Sequence, residues 1–142
     1  MSTSTVWRFW VPPIVWTALI FAASSASFSS AHTADWLATL INAIAGGPIA
    51  PDRFEVLHSA IRKAAHLTEY GILGALLLRA FRAESGRKWD IRWALAAVAI
   101  SAAVAGLDEW HQLFVPSRTA SPMDVLIDTI GAALAQVLFF KT

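Results

Sequence analysis

Four apolar stretches, separated by shorter polar ones, set the pattern of the chain. Residues 10–28, WVPPIVWTALIFAASSASF, carry no charge and are long enough to cross a bilayer's hydrocarbon at roughly 1.5 Å per residue. They predict a first spanning helix. The competing reading is a cleaved leader, with Arg8 as its charged start and Ser24, Ser25 and Ala26 as its cleavage site. Between about 36 and 44, Trp36, Leu37, Leu40, Ile41 and Ile44 fall on one helical face and Asp35, Thr39 and Asn42 off it. That pattern predicts a short amphipathic helix lying in the interface or over the mouth of a bundle, ended by Gly46, Gly47, Pro48 and Pro51.

Asp52 followed by Glu55 has the spacing of a capping box and predicts a long helix to about Phe81. Its submerged part, about 60–81, carries Arg62, Lys63, His66 and Glu69 before the run GILGALLL. Gly71 and Gly74, with Ala64, Ala65 and Ala75, would let a neighbouring helix come close. A basic loop follows, then a third apolar helix over about 93–114. A fourth, over about 122–140, opens on Ser121 as cap and Pro122 in the first turn. The expected fold is therefore all-α: a single-domain, four-helix transmembrane bundle with a short amphipathic helix between spans one and two.

Composition supports this reading. Of the 142 residues 56% are apolar and only 15% charged, against about a quarter in ordinary soluble domains. A net charge of +1 lacks the clustered cations that a nucleic-acid partner would need. With no cysteine, disulfides and thiolate metal sites are excluded. Several of the seven tryptophans, Trp10, Trp36, Trp93 and Trp110, stand near the ends of apolar runs, as interfacial aromatic belts do. Seven of the eleven Lys and Arg fall at the two termini and in the 79–92 loop, which predicts both termini in the cytoplasm. The start of span two, the end of span three and the start of span four then meet on the outer side.

The chemistry-bearing residues fall on that side: Arg62, Lys63, His66, Glu69, Asp108, Glu109, His111, Gln112, Arg118, Asp124 and Asp128. Asp108 is three residues from His111 and four from Gln112, so a helix aims these three into one cavity, with Glu109 oblique to them. Three cations stand against five carboxylates, an excess that one divalent metal, two protonated His or water would offset. Ionisable groups at membrane depth cost about 2.5–3.5 kcal/mol each at a helix centre, which makes them functional candidates.

Three readings stay open. One is a structural ion-pair network of Arg62 with Glu69 or Asp108, Arg118 with Asp124, and His66 with Glu109. A second is a divalent metal held by His66, Glu69, Asp108 or Glu109, and His111. The third is acid-base or anion chemistry on a lipid-borne group, with His66 or His111 as base and Arg118 clamping a phosphate. Tyr70 reads as a packed interfacial residue and Ser24 as a packing or backbone-bonding group.

Two blocks, KAAHLTEY at 63–70 and LDEWHQLFVPSRTASPMDVLIDTIGAAL at 107–134, resemble the VanZ-like family of small bacterial membrane proteins. Asp108, Glu109, His111, Gln112, Arg118, Asp124 and Gly131 match the family's pattern; Ser117 stands where Gly is common and Asp128 where Asn is. Ser24 and Ser25 also look like the family's pair. The resemblance implies a multi-pass protein of the bacterial cytoplasmic membrane and an association with low-level resistance to teicoplanin, a lipid-tailed glycopeptide.

The sequence thus leads to an outward pocket that binds, or processes, an anionic lipid or lipid-linked envelope precursor. His66, Glu69, Asp108, Glu109 and His111 would do proton or metal chemistry, and Arg62, Lys63, Gln112, Arg118 and Asp124 would hold the ligand. Its partners would be membrane lipids and that precursor. The alternative is a non-catalytic scaffold held by ion pairs.

Overall fold

A computed structural model describes residues 3–24, 30–85, 89–115 and 120–139. Five helices and no strand occur among them: α1 (Thr3–Ala23), α2 (Ser30–Ala45), α3 (Pro51–Ser85), α4 (Ile91–Gln112) and α5 (Pro122–Leu138). The all-α class is as expected, with shifted boundaries. α1 starts seven residues before its apolar run and keeps Pro12 and Pro13 inside it. Each proline removes a helical donor, while the Thr17 hydroxyl donates to the Pro13 carbonyl at 2.9 Å. α4 is the one described helix that is clearly long and apolar enough to cross a membrane. α5, with 17 residues, reaches about 25 Å at roughly 1.5 Å per residue.

α3, 35 residues long, is the element on which the others are laid. It packs most extensively against α5, and also against α1 and α4; α4 packs on α5. Contacts at the two ends fix the directions. At one end Trp10 of α1 meets Phe81 of α3 edge-on at 5.2 Å, Phe81 stacks on Trp93 of α4 at 5.1 Å, and the Trp89 indole donates to the Gln136 carbonyl of α5 at 3.2 Å. At the other end the C-termini of α1 and α4 meet the N-terminal halves of α3 and α5. Neighbouring helices in the chain order α1, α3, α4, α5 therefore alternate in direction.

Small residues set the spacing. On α4 the buried line is Ala94, Ala97, Ser101, Ala105, Asp108 and Gln112, a repeat of three and four that turns one narrow face inward. On α3 and α5 the approach is closer still. A methyl group on Gly131 would collide with the main chain of Leu67, and one on Gly74 would come within 3.0 Å of the Ala132 Cα and carbonyl oxygen. The expected role of Gly71 and Gly74 holds, with Gly131 as the partner across the seam.

Large apolar side chains are exposed along the bundle while several acids are buried. Ile14 and Leu19 on α1, Leu95 and Leu107 on α4, and Leu126, Ile130 and Leu134 on α5 are exposed, while Asp108, Glu109, Asp124 and Asp128 are buried. Against hydrocarbon, close packing and interhelical hydrogen bonds, rather than water exclusion, hold such helices together. Trp10 and Trp93 pack against the core instead of forming a belt, whereas Trp36 and Trp110 are exposed. The apolar face of α2 does not cover the bundle: Trp36, Leu40 and Ile44 point outward, and α2 touches α3 alone in more than isolated contacts. Gly46, in the left-handed region at φ 75°, ends that helix, as its lack of Cβ allows.

Candidate functional site

One turn separates each member of three short ladders. Arg62, His66 and Tyr70 follow each other at four-residue steps on α3, Asp124 and Asp128 on α5, and Asp108 and Gln112 on α4. The close α3–α5 crossing sets the first two ladders rung to rung. Arg62 Nη2 lies 3.1 Å from Asp124 Oδ2, with the arginine side chain 33% exposed and the carboxylate 5%. Arg62 thus marks the mouth of the cluster. One turn deeper, His66 Nδ1 lies 3.3 Å from Asp128 Oδ1, off the line a hydrogen bond requires. Below it is Tyr70, wholly buried, its hydroxyl without a hydrogen-bond partner and within electrostatic reach of Asp108, Asp128, Glu69 and Glu109.

α4 closes the other side. Asp108 Oδ2 accepts from the Ser24 hydroxyl at 2.7 Å and from Gln112 Nε2 at 3.1 Å; Oδ1 accepts nothing. Glu109 Oε2 accepts from the backbone N–H of Ser121 at 2.6 Å, and Oε1 again accepts nothing. Ser121 stands at the N-cap position, as expected, but its side chain makes no capping bond. The cap is supplied by Glu109, which ties the start of α5 to the end of α4. That carboxylate sits at the positive end of the α5 dipole.

Several expected partners are different. Arg62 pairs with Asp124, not with Glu69 or Asp108, and His66 with Asp128, not with Glu109. Glu69 is half-buried; its main-chain carbonyl accepts from the Trp16 indole at 2.9 Å. Lys63 is exposed. His111 is also exposed, its ring edge-on to Phe21 at 6.3 Å, with no bond to Asp108 or Glu109. Among the described residues no bond joins His111 to His66. Arg118 and its expected contact with Asp124 lie outside the described residues.

Two members, Tyr70 and Ser24, were not among the sequence candidates, and a third, Asp128, stood in the cluster with no role assigned to it. Asp128 carried a signal, four residues after Asp124 on an apolar helix. Tyr70 carried the same signal relative to His66. Ser24 had none, since its partner is 84 residues away.

The metal set His66, Glu69, His111 with Asp108 or Glu109 does not fit this arrangement. Among the described residues no group of three or more His, Asp or Glu is placed to hold one ion. What the site does offer is a carboxylate-rich interior behind one guanidinium. Asp108 Oδ1, Glu109 Oε1, both oxygens of Asp128 and the Tyr70 hydroxyl are buried with no hydrogen-bond partner among the described residues. Buried acceptors without donors are costly, about 1–3 kcal/mol apiece and more when charged. These atoms are therefore sites for protons, water or a ligand's donors.

The VanZ/LLP1 family model matches residues 9–141 of the chain. No curated protein and no solved structure matches it.

Proposed function

Because the chain belongs to the VanZ/LLP1 family, we propose that it is a multi-pass protein of the bacterial cytoplasmic membrane, with α1, α3, α4 and α5 as spans. Both termini face the cytoplasm, and the carboxylate cluster opens outward. The apolar exterior and the bias of Lys and Arg toward the opposite end support this placement. In intact cells an impermeant thiol reagent should label Met123→Cys, at the start of α5, and leave Ile91→Cys, at the start of α4, unlabelled. The opposite labelling would reverse the orientation.

The ligand is an anionic, lipid-linked envelope precursor, and the cluster divides its work by depth. Arg62, the most exposed member, meets the phosphate, joined by Arg118 from the loop before α5. An anion cannot go deeper among four buried carboxylates, so the interior handles protons. His66, 3.3 Å from Asp128, exchanges a proton with the ligand or an attacking water, and Asp108 and Tyr70 stand on the same interior side. The observation that carries the reading is Asp128: 1% exposed, inside a bundle with many exposed apolar side chains, and with no donor to either oxygen among the described residues. The family's association with teicoplanin, which binds cell-wall precursor, agrees with such a ligand.

A structural network is the second reading, favoured by the fact that Ser24–Asp108, Arg62–Asp124, His66–Asp128 and Glu109–Ser121 each join two helices. The unpartnered oxygens weigh against it, since a network kept only for stability gains by satisfying its acceptors. A polyisoprenyl phosphate added to the detergent-purified protein separates the two. At about a hundred times Kd it should stabilise the wild type by about 2.7 kcal/mol. Arg62→Gln, measured against its own ligand-free melting temperature, should lose most of that gain. An equal gain in the variant would leave the scaffold reading.

A further inference from the structure

The helix ends opposite the carboxylate cluster form a second site. A groove of about 610 Å³ opens there between the start of α1, the last turns of α3 and the end of α5. Its size lies in the range of small-molecule and lipid-headgroup cavities, roughly 300–1,000 Å³. Phe9, Leu76, Leu78 and Phe139 give it apolar walls, and Arg79 and Arg82 stand on its α3 side. The two arginines are three residues apart, so their guanidiniums share one helical face. Arg79 is held with its Cζ 5.0 Å from the centre of the Phe9 ring, a cation–π contact that orients it at the rim. Trp10, Trp89 and Trp93 pack against the core at the same end.

We propose that this groove binds an anionic glycerophospholipid of the cytoplasmic leaflet, its phosphate on Arg79 and Arg82 and the upper part of an acyl chain along Leu76, Leu78 and Phe139. The chemistry selects this occupant. A soluble phosphate would use the arginines and leave the apolar walls wet, and a neutral or zwitterionic lipid would use the walls without matching the two positive charges. Basic pockets between helices on the cytoplasmic side hold anionic headgroups by this combination. The site rests on the membrane placement proposed above but not on the role of the carboxylate cluster, since Arg79 stands about 20 Å along α3 from His66 at roughly 1.5 Å per residue.

The test is native mass spectrometry of the full chain released from nanodiscs of equal phosphatidylglycerol and phosphatidylcholine. Wild type should retain phosphatidylglycerol in preference by about tenfold or more, on the scale of roughly fivefold per arginine. Arg79→Gln/Arg82→Gln should lose the preference, and Arg79→Lys/Arg82→Lys should largely keep it. Ala75→Phe, which fills the groove wall while leaving both guanidiniums, should lower retained phosphatidylglycerol as well. The response of the outer site to polyisoprenyl phosphate should be unchanged in the glutamine variant. Equal retention of the two lipids by wild type, or retention in Ala75→Phe equal to wild type, overturns the proposal; the second result would reduce it to surface charge.

Discussion

Gly131→Ala should destabilise the protein by about 3 kcal/mol or more, although the same change at an open helical position stabilises by roughly 1 kcal/mol. The reversal of sign follows from the α3–α5 crossing. A Cβ at 131 would run into the main-chain carbonyl of Leu67, and Leu67 Cα would stand 3.1 Å away. Main chain inside a helix cannot turn aside as a flexible side chain can, so the two helices must separate. Separation also pulls apart Arg62 from Asp124 and His66 from Asp128, which lie along the same seam. Gly106→Ala is the internal reference, because nothing lies within 4 Å of a Cβ there. Thermal melting of both variants in detergent should give Gly106→Ala at or above the wild type and Gly131→Ala far below it. Equal melting temperatures would mean that α3 and α5 cross elsewhere.

Asp128→Asn should part stability from function. Among the described residues the buried carboxylate accepts no hydrogen bond and has one counter-group, an imidazole at 3.3 Å in poor geometry. Removing a buried charge so loosely met relieves a desolvation cost of several kcal/mol, and asparagine preserves the shape. The melting temperature should therefore be no lower than that of the wild type. Proton exchange through His66 should fall by a hundredfold or more, on the scale of a lost general acid-base group. Single-turnover release of phosphate from a polyisoprenyl diphosphate, or the thermal response to the monophosphate if the site only binds, provides the readout. A variant that melts lower and keeps the ligand response would make Asp128 a structural pin.

The helices were legible because their signals are local. Pro122 after Ser121 marks the start of α5 to the residue, and Arg62 and His66 share a face by spacing alone. Partners were not legible, because they depend on where helices cross. The contact of Gly131 with Leu67 sets which α5 carboxylate faces which α3 side chain, and no periodicity encodes that register. His111 shows the same limit. At about 100 degrees per residue, Glu109 and His111 lie on opposite flanks of the buried line through Ala94, Ser101, Asp108 and Gln112, each about 80 degrees from its middle. Pattern treats them alike. α5 begins on the Glu109 side, where Ser121 bonds to it, so Glu109 is covered and His111 is left outside. The run of alanines on α4 carried more information than its blandness suggested, since it already pointed at Asp108 and Gln112. It did not say what would stand opposite.

The way α1 is attached bears on how a molecule with a long hydrocarbon tail would reach the acids. α1 packs on α3, and near its last turn it also reaches α4, through the Ser24 hydroxyl on Asp108 and Phe21 against His111. Segments joined by few contacts separate at the lowest cost. Under the function proposed above, the joint between α1 and α4 is the place for a sideways entrance from the bilayer, which a head group would pass while its tail stays among the lipids.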